Sequence, residues 1–231
     1  MKSNKFAFTG LLCLLALLLN IASAMLASAL KLPAFLDTIF TVAITFYAGL
    51  IPGIIVATLF NPVMTLLRCV MTGSEIFLYD FLYGICGILI VIASWLFSRN
   101  KKEFHFSRRV TLLYLLIIVF FSTFVSSFSA SALDTFIRPL FEKVSGFSAI
   151  DDISLVFQKM NFSVFLSYLL PRIPITLLDR CICTFAAYGI YSRLRADFNG
   201  SSQTLHLIFY FSCCVYFCRL YHPYGDFDSR H

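Results

Sequence analysis

The residues of this chain whose types could do chemistry are polar side chains set among apolar ones. Asp179-Arg180 interrupts a run, 160–193, that is otherwise apolar except for Arg172 and the closing Arg193. Asp37 precedes a charge-free stretch holding Thr38, Thr41 and Asn61-Pro62, and Tyr79-Asp80 precedes another. Lys31, Arg68 and Glu75 stand at the ends of such stretches. The chemistry these types offer is recognition: Tyr79 for stacking on a flat ring, and Asn61, Asp179 and Arg180 for its hydrogen-bonding edges. Asp37 and Thr41 complete the candidate contacts. No catalytic set accompanies them. There is no Gly-x-Ser-x-Gly, no Gly-rich phosphate loop and no His-Glu-x-x-His, and the four His are scattered. Enzymatic activity is not expected. Cys181-x-Cys183 has too short a spacing for a zinc half-site, and no second half-site follows, so neither metal nor cofactor is expected. Most of the eight cysteines sit in apolar runs, where a thiol packs as a small hydrophobe.

Elements that position these residues must be membrane spans. Of 231 residues, 59% are hydrophobic and 13% charged, with 27 Phe. A soluble fold needs nearer a quarter charged and a polar exterior. Charges are absent from 6–30, 38–67, 81–98 and 110–133. A span needs about 20 apolar residues. Pro52-Gly53 breaks the second stretch into two helices. The expected architecture is an all-α polytopic membrane bundle of six helices at about 8–30, 36–51, 53–67, 77–97, 110–132 and 164–193. Residues 1–195 form this membrane domain and 196–231 a tail. Its apolar segment 203–218, which contains His206, is a seventh span, an interfacial helix or an appendage. Lys2, Lys5 and Ala22-Ser23-Ala24 imitate a signal peptide, but the apolar run is longer than a signal core, so a retained first helix is expected.

The segment 99–109 holds five Lys and Arg and is expected to be cytoplasmic, with the N-terminus and Arg193 on the same side. This asymmetry accounts for most of the net charge of +6, and no nucleic-acid partner is expected. Residues 133–163 then lie outside. Leu133, Phe136, Ile137, Leu140, Phe141 and Val144 are spaced as one apolar helical face, read as an interfacial connector or a lid. On this topology Lys31, Asp37, Arg68, Glu75, Tyr79, Asp80, Arg172, Asp179 and Arg180 converge on the outer side. Lys31 is expected to snorkel to the headgroups, whereas Asp179 and Arg180 form a pocket or an inter-helix pair. Gly49, Pro52 and Gly53 are expected to form a tight inner turn between closely packed helices.

Phe35-Leu36-Asp37, Gly49-Leu50-Ile51-Pro52-Gly53, Phe60-Asn61-Pro62 and Pro171-Arg172-Ile173-Pro174 with Asp179-Arg180 together resemble motifs of a known family. The sequence looks like the substrate-binding S components of energy-coupling factor (ECF) vitamin transporters, nearest the riboflavin-type group. The resemblance covers about residues 8–195. It implies a multi-pass protein of the bacterial cytoplasmic membrane that binds a small water-soluble vitamin in the lipid bilayer. It also implies partners: a transmembrane coupling protein and ATPase subunits. Two departures stand out. No alanines four apart occur in the first helix, where the family carries Ala-x-x-x-Ala, and Phe40 replaces a glycine, which is expected to narrow the pocket. A ligand-sensing membrane domain and an assembly protein without transport are the alternatives.

Overall fold

The computed structural model of the chain describes residues 2–30, 32, 34–73, 76, 78–141 and 148–199. Lys31, Glu75, Val144 and the segment 203–218, with His206, Cys213, Cys214 and Cys218, lie outside the described residues. The helices in chain order are α1 (Lys2–Ala29), α2 (Ile39–Ala48), α3 (Leu50–Thr72), α4 (Tyr79–Leu82), α5 (Gly84–Ser98), α6 (Lys101–Phe104), α7 (Arg108–Ala132), α8 (Ser148–Lys159) and α9 (Val164–Asn199). A π turn, Leu133–Ile137, and a 3-10 turn, Arg138–Leu140, extend α7. No strand occurs among the described residues. The chain divides into two units, Met1–Tyr191 and Ser192–His231; of the second, only helical residues 192–199 are described.

Five stretches are long and apolar enough to cross a bilayer: Ala7–Ala29, Leu50–Met71, Tyr79–Ser98, Arg108–Leu140 and Val164–Leu194. The chain is an all-α polytopic membrane bundle. Its side chains are arranged for lipid rather than water. On α7, Phe120, Phe124 and Phe128 face out while Ser122, Ser126 and Ser127 are buried. Hydrocarbon gives apolar residues no reason to hide, so small hydroxylated ones take the helix contacts.

The second expected span is not a full one. Its helix, α2, has ten residues. At 1.5 Å per residue it rises about 15 Å, half of a hydrocarbon core of about 30 Å. The chain leading into it, 34–37, is not helical, and Leu36 has a left-handed φ of 48°. The break between α2 and α3 also lies elsewhere than expected. It falls at Gly49 (φ 97°), whose N–H closes α2 by donating to the Thr45 carbonyl at 3.1 Å. A side chain would be strained there. Pro52 sits in the first turn of α3, where a missing N–H costs no helix bond. Gly53 then faces α2 at close quarters. A Cβ added to it would lie 2.2 Å from Thr45 Oγ1 and 2.8 Å from a Val91 methyl, so no larger residue fits unless these neighbours shift. Together Gly49, Pro52 and Gly53 build a tight turn.

Residues 133–140 continue α7 rather than forming a separate connector. Asp134 is buried, at 3% exposed, whereas Phe136 and Leu140 are exposed at 66% and 76%. The polar side turns inward because its partners are inside. The separate helix α8 carries the strongly amphipathic pattern of this region, and its Asp151 pairs with Arg138 at 2.7 Å.

Two apolar cores hold the bundle. One joins Val42, Phe46, Ile90, Leu115 and Ile118 to Phe104 of α6 and Tyr191 of α9. The other packs Ala16, Leu17 and Ile21 of α1 against Ile44, Val56 and Phe60. Phe40 packs on this second core.

Candidate functional site

At the end of the bundle away from the 99–109 loop, the helices part around a cavity of about 620 Å³. That volume is in the range that holds a small organic ligand. Its wall comes from the last turns of α1 (Ala24, Ser28), the entry to α2 (Phe35, Asp37, Thr38, Thr41), the second half of α3 (Phe60, Asn61, Arg68), α4 and α5 (Asp80, Tyr83, Gly87), α7 (Ser126) and α9 (Arg172, Thr176, Arg180). Tyr83, in the short break between α4 and α5, presents its side chain here.

One polar group centres on α9 and the non-helical strap 34–37. Asp179 is fully buried. Its Oδ1 accepts the backbone N–H groups of Phe35 at 2.9 Å and Leu36 at 2.8 Å. Its Oδ2 accepts from the Arg180 guanidinium. Arg180 also donates to Thr38 Oγ1 at 2.6 Å and to Asp37 Oδ1 at 3.3 Å. The chemical logic is direct. Non-helical backbone at membrane depth has N–H groups that lipid cannot satisfy, and it persists only where protein supplies acceptors. Asp179 is that acceptor, and Arg180 neutralises it.

A second group joins α4, α5, α7 and α9. Tyr79 and Tyr83 both donate to Asp134 Oδ1, at 2.6 and 2.7 Å. Arg172 pairs with Asp134 Oδ2 and contacts the Tyr83 hydroxyl at 3.4 Å. The π turn after α7 brings Asp134 to this point. A third group caps α2: buried Asn20 of α1 accepts the Phe40 N–H at 3.0 Å and donates to Thr41 Oγ1 at 2.6 Å. The first N–H groups of a helix lack intrahelical partners, and Thr38 makes no side-chain cap, so α1 provides one.

The sequence-derived candidates therefore separate into two sets. Asp37, Thr41, Asn61 and Arg180 share the cavity wall. Tyr79 and Asp179 do not line it; each is fully buried behind the wall and holds a lining residue or the strap. Tyr79 packs edge-on to Tyr83 with ring centroids 5.5 Å apart. The aromatic face next to the cavity is thus that of Tyr83 rather than Tyr79. Gly49, Pro52 and Gly53 form the α2–α3 turn and are not among the lining residues. Among the described residues, no group of His, Cys, Asp and Glu is placed to hold a metal ion.

Sequence reasoning did not single out Asn20, Tyr83 or Asp134 as site residues. Asn20 carries a usable signal: it is the one amide within the charge-free stretch 6–30, and an amide in a span needs a partner. Tyr83 and Asp134 carry none, because their importance arises from the α4–α5 break and the π turn. Arg172 and Arg180 each keep a buried Nε–H without a partner. No family model, curated protein or solved structure matches this chain.

Proposed function

We propose that the chain is the membrane-embedded substrate-binding subunit of an ATP-driven importer of the energy-coupling factor kind. It captures a small water-soluble vitamin or related metabolite, riboflavin-like in size and ring character, in the bacterial cytoplasmic membrane. The observation that supports this reading is the cavity, whose polar wall is held in place from behind. Arg180 and Tyr83 are each fixed by bonds to residues outside the lining, Asp179 and Asp134. A helix bundle needs neither a void of about 620 Å³ nor buried arginines beside it, whereas a receptor gains affinity from side chains fixed before the ligand arrives. A coupling protein and ATPase subunits are the partners this reading requires.

Native mass spectrometry of the purified chain is expected to reveal one bound small molecule. Asn61→Ala, which removes a lining amide, is expected to weaken its binding about 5- to 150-fold at unchanged thermal midpoint. If no small molecule binds a folded preparation, the reading is wrong; uptake by the chain alone in liposomes rules out the need for ATPase partners.

The cavity opens on the outside in this reading, with the N-terminus and the 99–109 loop in the cytoplasm. Single cysteines at Lys102 and Lys159 in a cysteine-free background test it. In intact cells an impermeant reagent is expected to label Lys159→Cys and spare Lys102→Cys, and the opposite pattern inverts the topology.

A further inference from the structure

The charge balance around the cavity points to the kind of molecule it takes. Among the described residues, its wall and the layer directly behind it hold four carboxylates, Asp37, Asp80, Asp134 and Asp179, against three guanidiniums, Arg68, Arg172 and Arg180. Arg68 and Asp80 are one of each sign and leave the balance unchanged. Arg172 is matched by Asp134, and Arg180 by Asp179. Both oxygens of Asp179 are engaged, and so are both terminal nitrogens of Arg180.

Among these described groups Asp37 is the carboxylate left over once Arg180 is matched with Asp179. Its bond from Arg180 is long, at 3.3 Å, and its side chain remains 26% exposed on the cavity wall. A surplus negative charge among apolar helices is costly until a cation or a proton joins it. An anion entering here meets guanidiniums already matched by carboxylates. The unpartnered Nε–H groups of Arg172 and Arg180 are themselves buried and closed to it. Phe35, Phe60 and Tyr83 add aromatic surface to the same wall, which favours a cation further.

We propose that the molecule this cavity takes carries a cationic nitrogen, a protonated amine or a protonated nitrogen heterocycle, paired with Asp37. This rests on the reading of the cavity as a ligand site. It narrows that reading to one charge class and gives Asp37 the role of specificity determinant.

Two probes of equal size and opposite charge test it: benzylammonium and benzoate, titrated into the purified full-length chain in lipid nanodiscs. Benzylammonium is expected to raise the thermal midpoint and to bind, with benzoate doing neither. Asp37→Asn is expected to weaken benzylammonium about 10- to 100-fold. Equal or tighter binding of benzoate overturns the proposal while leaving a ligand site in place, and so does unchanged benzylammonium affinity in folded Asp37→Asn. If that variant does not fold, the comparison of the two probes on the unaltered chain decides. If neither probe binds, the molecule found by mass spectrometry decides by its charge: a neutral or anionic one overturns the proposal alone, and no molecule at all overturns the ligand site with it.

Discussion

Replacing Asp134 with alanine is expected to destabilise the bundle by about 3–5 kcal/mol. Asp134 is the hub on which four elements meet. It accepts from Tyr79 and Tyr83 and pairs with Arg172. Its side chain is 1% exposed and that of Arg172 only 9%, so water cannot replace what is lost. Truncation leaves a guanidinium without its counter-charge and two phenols without an acceptor. The orphaned charge dominates, because an unpaired buried ion costs more than a lost neutral bond. A second substitution separates this cause from simple loss of packing. Arg172→Met in the Asp134→Ala background removes the orphan and is expected to recover part of the stability. Reversible unfolding in mixed micelles with sodium dodecyl sulfate measures both. A loss under about 1 kcal/mol, or a double variant less stable than the single, contradicts the hub.

The second large effect is expected at Asp179. Alanine there strips an acceptor from two backbone N–H groups and the counter-charge from Arg180 in one step. A loss of about 3–5 kcal/mol is expected, as for a broken buried pair. Asparagine is expected to be milder, since its carbonyl still accepts from Phe35 and Leu36 and only the charge pairing goes. The two variants also differ in where the damage shows. In Asp179→Ala the amides of Phe35 and Leu36 are expected to exchange with solvent hydrogen much faster than in the parent, while those in the middle of α7 change little. Equal protection at 35 and 36 in both chains would show that the strap does not hang on this carboxylate.

Much of this fold is legible because charge is expensive in lipid. The charge-free stretches 6–30, 81–98 and 110–133 mark helices directly. Asp179 and Arg180 stand out because they fall inside an apolar run, and the structure finds both buried there. The second span is harder to read. Pro and Gly are the strongest punctuation in a sequence, so Pro52-Gly53 draws the break to itself. Yet a proline in the first turn of a helix interrupts nothing, and the chain reverses at Gly49. Nor does composition show that the N-terminal end of this span is unwound. Its residues, Ala34 to Thr38, are as apolar as many helices, and what keeps them open is an acceptor far away in the chain. Asp134 is hidden for a similar reason. A period of 3.6 puts Leu133, Phe136 and Leu140 on one face and invites the reading of a connector or a lid separate from the bundle. The π turn instead continues α7 and carries Asp134 inward.

The distance along the chain between the strap and its acceptor bears on how the protein is made. Phe35 and Asp179 are 144 residues apart. At about 5–20 residues per second, a ribosome needs roughly 7–30 s to synthesise that interval. Through that time α2, with its ten residues, is too short to cross as an independent span. It must enter the bilayer with α3 as a hairpin folded about Gly49, with the N–H groups of Phe35 and Leu36 still bound to water or headgroups. Only when α9 arrives can they leave that boundary. The helix α9 thus seats the second, and the cavity between them comes into being only after α9 has emerged.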